Sequence, residues 1–144
     1  MTGKTGGTVA KIRHIAIATH DPEATAQFYK DGLGLQDAGR VANDLAEGYY
    51  LTDGYINLAI LKFKDDFAAA TEGAPRYTGV HHIGFQVDDM TSAEGQIIQA
   101  GASYRSEGDK PGQRAEHSAN VEVKFVGPDG VTVDLSQTGW SGTD

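Results

Sequence analysis

The sequence predicts an α+β protein assembled from two similar halves. Three observations carry the prediction. The stretch from Ile12 to Asp21 has the same shape as that from Val80 to Asp89: His14 meets His82, Ile15 meets Ile83, Ala16 meets Gly84 and Asp21 meets Asp89, all 68 residues apart. Each copy reads as a strand running straight into a helix start, and each is followed by further strand-like segments. Nineteen glycines, finally, imply frequent turns and argue against a helical bundle. Neither half alone can bury a substantial core, so the halves must pack together or pair with another chain.

Residues 10 to 19 carry the apolar and β-branched content of the first strand. Asp21-Pro22 marks a helix start, because Asp caps and Pro is tolerated at the first helical position. Ala24, Gln27 and Phe28 are expected on one face of that helix, with its end at Asp31-Gly32. Within an irregular link over 38 to 54, Tyr49-Tyr50-Leu51 reads as a short strand. Thr52-Asp53-Gly54 is a turn, and Tyr55 to Leu61 is a strand buried on both faces. Lys62 to Tyr77 connects the halves, with a brief helical turn over Asp66 to Thr71.

The second half repeats the order. Strand 80–87 precedes a helix from 90 to 100, with Thr91 and Glu94 as a capping box and Met90, Ala93 and Ile97 as its apolar stripe. Gly101 takes the part of Gly32. A charged loop over 106 to 117 turns at Lys110-Pro111-Gly112. Val121 to Phe125 and Val131 to Ser136 alternate as strands about a turn at Gly127-Pro128-Asp129-Gly130. The tail from Gly139 is expected to be loose apart from Trp140, whose apolar area favours docking.

Composition narrows the function. Apolar content of 39% with 22% charged residues is ordinary for a soluble domain. A net charge of −8 argues against nucleic acid or an anionic membrane as partner. The absence of cysteine removes disulfides, thiolate ligands and cysteine nucleophiles. No apolar run reaches membrane-spanning length, and the small polar residues at the start lack the apolar core of a secretory signal. A cytoplasmic protein with a flexible segment over 1–9 is expected.

These motifs resemble the vicinal oxygen chelate superfamily, which includes glyoxalase I, methylmalonyl-CoA epimerase, extradiol ring-cleavage dioxygenases and bleomycin-resistance proteins. The resemblance rests on the segment from Lys11 to Ile17, on Asp21-Pro22 through Phe28-Tyr29 to Leu35, on His81 to Asp89, and on Gly127 to Leu135. It implies one domain over 10–138, followed by a tail over 139–144. Module one would span about 10–63, the linker 64–78 and module two 79–138. It further implies two βαβββ modules forming an open curled sheet around a central cleft, a divalent metal in that cleft, and a homodimer.

Carried over residue by residue, the resemblance makes His14, His82 and Asp134 the metal ligands. The family usually has Glu at the last position, and Asp is one methylene shorter. Aligning Asp53-Gly54 with Asp129-Gly130 sets Leu58, which cannot ligate, at the fourth position; a one-residue slip would set Asn57 there. Two imidazoles and one carboxylate leave about three positions on an octahedral ion, which suits Fe2+ or Mn2+, with Zn2+, Ni2+ and Co2+ as other candidates. The same three residues are also what hydrogen-bonded sheet histidines and a solvated strand carboxylate would look like.

Other candidates are weaker. Glu122 is a possible acid or base, and either Tyr49 or Tyr50 a donor to an oxyanion, only one of the two facing inward. In a regular strand His81 points away from His82, while His20 and His117 read as loop histidines. The three-ligand count points first to extradiol-dioxygenase-like chemistry on a small substrate chelated through vicinal oxygens. Glyoxalase-like lyase or isomerase chemistry is one alternative, and a metal-free binding protein of the bleomycin-resistance type is the other.

Overall fold

The computed structural model describes residues 9–72, 78–114 and 122–143. The order is β1 (Lys11–Ala18), α1 (Pro22–Leu33), β2 (Gln36–Ala42), β3 (Ala46–Thr52), β4 (Asn57–Phe63), α2 (Asp66–Glu72), β5 (Gly79–Gln86), α3 (Met90–Gln99), β6 (Ser103–Tyr104), β7 (Glu122–Val126) and β8 (Thr132–Ser136). All eight strands belong to one mixed sheet in the order β2-β3-β4-β1-β5-β8-β7-β6.

That order corrects the expected curled sheet around a central cleft. The halves join edge to edge through antiparallel pairing of β1 with β5, and the sheet ends at β2 and β6, which do not meet. The symmetry of the repeat survives within the single sheet. β1 pairs parallel with β4, and β5 pairs parallel with β8.

Period-two alternation then sorts the side chains. On one face Ile17, Leu51, Leu58 and Ile60 pack under Ala26 and Tyr29 of α1, while Val87, Val123, Phe125 and Leu135 pack under Met90, Ala93 and Ile97 of α3. The other face carries Ala16, Ala59, Leu61 and Phe63, covered by Ala69 of α2, and continues into the polar residues described below.

Both helix starts use aspartate. Asp21 accepts from the amide of Ala24 at 3.1 Å, and Asp89 accepts from Ser92 at 3.0 Å. The Thr91–Glu94 capping box does not form, because Glu94 is buried and bonded to Tyr104 and Arg114. Helix α1 runs past Gly32 and ends at Gly34 in the left-handed conformation (φ 76°). Ala26 is its buried residue, whereas Phe28 is exposed. The tail is held rather than loose. Asn57 donates to the carbonyl of Ser141 at 2.9 Å, and Thr52 donates to that of Gly142 at 3.0 Å.

Candidate metal centre

The strand registers draw a row of residues across the middle of the sheet. Asn57 of β4 lies beside His14 of β1, His14 beside Gly84 of β5, Gly84 beside Asp134 of β8, and Asp134 beside Lys124 of β7. His82, two residues before Gly84, stands on the same face. Gly84 is the gap in the row, and the ring of Trp140 fills it. A Cβ at Gly84 would lie 2.7 Å from that ring and 2.8 Å from the Cβ of His14.

Three of these groups converge. The Nε2 atoms of His14 and His82 are 3.2 Å apart, and His82 Nε2 is 3.5 Å from Asp134 Oδ2. One ligand atom from each of the three residues lies within 4.8 Å of the others, and all three side chains are buried. Ligands bonded about 2.1 Å from one ion stand roughly 3.0–3.4 Å apart at octahedral to tetrahedral angles. The 3.2 and 3.5 Å separations lie close to that spacing, which makes the three residues a candidate site for a divalent cation. No metal identity follows from it.

Hydrogen bonds outside the group prepare the donors. Asn57 Oδ1 lies 2.8 Å from His14 Nδ1, and its Nδ2 is committed to the Ser141 carbonyl. The amide is thereby oriented with oxygen toward the ring, which puts the proton on Nδ1 and leaves the Nε2 lone pair for a cation. Trp140 stacks on the His14 ring at 4.8 Å and 3°, and donates its indole N–H to Glu122. On the far side, Lys124 Nζ is 3.0 Å from Asp134 Oδ2.

The structure departs from the sequence expectation most at His81. The β1–β5 register pairs Ala16 with His82 and Ile17 with Val80, a register shift that falls at His81. Its side chain therefore does not point away. It is buried, packs against Phe63 at 4.6 Å, and brings Nδ1 within 2.9 Å of His82 Nδ1.

The fourth position is likewise settled by register. Leu58 faces the α1 side, and Asn57, not Leu58, stands next to His14. Tyr50 and Glu122 line a small cavity of about 60 Å³ with His14 and His82, whereas Tyr49 packs on the α1 face. His20 lies exposed after β1, and His117 lies outside the described residues. Lys124 and Trp140 had drawn no role in the site from the sequence, and Asn57 only as an alternative at the fourth position. The repeat offered one signal, since Asn57 was the one-residue alternative to Leu58.

A larger cavity of about 570 Å³ lies under α3, lined by Phe85, Val87, Val133 and Leu135. These alternate with His82, Gly84 and Asp134 along the same strands, so the cavity opens on the opposite face and shares no ligand with the centre. Chemistry, not size, picks out the smaller cavity.

Burial holds the His14 imidazole below its ordinary value near 6.5, and it outweighs the opposing effects of Glu122 and Asn57. Burial also depresses His82 well below that value, with Lys124, His14 and His81 adding to the effect. Both rings are neutral at pH 7, the form that ligates a metal. Between the depressed native values and 6.5 the unfolded chain binds protons that the folded chain does not. Stability is therefore full above that window and falls as the pH drops through it. Urea unfolding of EDTA-treated protein should show a midpoint that declines from pH 7 to pH 5. A flat profile would contradict the buried neutral pair.

A mixed single sheet carrying two buried histidines and an aspartate at the join of two repeated halves defines the class of protein. The chain belongs to the Glyoxalase/Bleomycin resistance protein/Dioxygenase superfamily, which it matches over residues 11–135. It is 28% identical over 109 residues to the ethylmalonyl-CoA/methylmalonyl-CoA epimerase of Cereibacter sphaeroides, covering 70% of this chain and 78% of that one. A methylmalonyl-CoA epimerase solved with methylmalonyl-CoA and NH4+ superposes with a TM-score of 0.66 at 25% identity, over 90% of this chain and 94% of that one. The Streptomyces coelicolor methylmalonyl-CoA epimerase in complex with 2-nitronate-propionyl-CoA gives 0.68 at 24% identity, over 90% and 97%. These relatives are epimerases and not ring-cleaving dioxygenases, which turns the reading away from the extradiol chemistry that the ligand count had favoured. Among the described residues no helix is long and apolar enough to cross a membrane.

Proposed function

We propose that the protein is a divalent-metal-dependent epimerase or closely related isomerase acting on a small acyl-CoA-like thioester. The observation that carries this reading is the convergence of His14 Nε2, His82 Nε2 and Asp134 on the sheet face where Glu122 and Tyr50 line the adjoining cavity. The likeness to epimerases supports the substrate class.

Inverting a carbon next to a thioester carbonyl requires removing one proton and returning it from the other side, through an enolate. A divalent ion, if held by His14, His82 and Asp134, would supply a Lewis acid for the negative charge that develops on the thioester oxygen. In this scheme Glu122, a carboxylate at the cavity rim whose position is set by the indole N–H of Trp140, takes the proton from one face of that carbon and passes it to solvent. A solvent proton reaches the enolate from the other face. Tyr50 lines the same space. A cavity of about 60 Å³ takes only the reacting end of such a substrate, and the carrier portion would remain outside.

The test is deuterium incorporation. Protein stripped with EDTA and reloaded with Co2+ or Mn2+ should exchange the C2 hydrogen of methylmalonyl-CoA in D2O, read by mass spectrometry. His82→Ala should slow exchange by ~100-fold or more, beyond the usual loss from outer-shell partners. Catechol-dependent oxygen uptake without exchange would overturn the proposal in favour of ring cleavage. Absence of both activities would favour a binding protein.

A further inference from the structure

Asp134 is approached from two sides. Lys124 Nζ lies 3.0 Å from Oδ2, and His82 Nε2 lies 3.5 Å from the same oxygen. An ion held between the two imidazoles would approach that oxygen as well, and would face an ammonium of like charge across it. The lysine has an alternative within reach. Glu122 Oε1 is 3.7 Å from Nζ, and the Glu122 side chain is 29% exposed at the rim while that of Asp134 is 0% exposed. Lysine is a compact point charge on a flexible four-carbon stem, able to change partner by rotation about its side-chain bonds.

We propose that Lys124 and the divalent ion compete for Asp134, so that metal loading moves the ammonium from Asp134 to Glu122. This rests on the reading of His14, His82 and Asp134 as a metal centre and deepens it. Without metal, Lys124 neutralises a carboxylate that is fully buried at the middle of the sheet. With metal, the ion takes over that neutralisation, and the lysine joins the group proposed to carry the substrate proton. Lys124 is thus a positioning residue that sets how readily the centre takes up a cation.

Co2+ titrations of the wild type, Lys124→Met and Lys124→Arg, followed by calorimetry at one pH, test the competition. Lys124→Met removes the competitor and should bind Co2+ roughly 10-fold more tightly or better, within the usual range for coupled sites. Lys124→Arg keeps the positive charge and should remain within about 3-fold of the wild type, below that range. Wild-type binding with unchanged or weaker affinity in Lys124→Met overturns the role of Lys124 alone. Failure of Co2+ to bind the wild type and both variants overturns the metal centre with it. If Lys124→Met does not fold, acetylation of the wild type decides the matter. Acetic anhydride should modify Lys124 several-fold faster with Co2+ bound than after EDTA treatment, read by peptide mass spectrometry. An equal or slower rate in Co2+-loaded protein overturns the proposal.

Discussion

Asp134→Ala is expected to lower the stability of the metal-free protein by about 3 kcal/mol, the low end of the range for removing one partner of a buried ion pair. Asp134 is fully buried, and Lys124, 9% exposed, has its ammonium 3.0 Å away. Removing the carboxylate leaves that ammonium in a desolvated position at the centre of the sheet. The loss stays at the low end because Glu122, 3.7 Å from the same nitrogen, takes up part of the charge. Asp134→Asn should lose less, since it preserves the shape and one acceptor. Urea unfolding in EDTA measures both. A loss below about 1 kcal/mol for the alanine variant would place the pair among ordinary surface salt bridges.

Gly84→Ala is expected to cost roughly 1–3 kcal/mol, the usual range for overpacking a filled core, and to displace Trp140. The added methyl would meet the indole at 2.7 and 2.8 Å and the Cβ of His14 at 2.8 Å. His14 sits on a central strand paired on both sides, so it has little room to yield. The tail bearing Trp140 gives way instead, breaking the stack on His14 and the bond to Glu122. Trp140 is the sole tryptophan, so fluorescence excited selectively at tryptophan reports this site alone. The variant should emit at longer wavelength and be quenched more readily by acrylamide. Unchanged emission would show that the sheet, not the indole, absorbs the methyl.

Much of this site was legible in the chain because a repeat carries its own register. His14 and His82 occupy equivalent places in two copies of one strand, and alternation along Val131 to Ser136 puts Asp134 on a definite face. The helix starts at Asp21 and Asp89 were equally legible, being local events in which one carboxylate meets an amide three residues on. Other features follow from pairings between segments far apart in sequence. The orientation of His81 turns on one register shift in the β1–β5 ladder, and no local pattern distinguishes a shifted strand from a regular one. The choice between Leu58 and Asn57 depends on how β4 registers with β1, 43 residues away, for which an alignment of turns is a poor guide.

The sequence by itself determined that two strand–helix–strand units exist, that each begins with a histidine-bearing strand, and that an aspartate closes the second. Periodicity and capping act over a few residues, and such information is written along the chain. Only the tertiary structure decided that the units join edge to edge into one open sheet. It alone brought Lys124 to Asp134 and Trp140 onto Gly84. Those outcomes depend on which strand edges pair and which gaps need filling, and these exist only once the sheet is assembled.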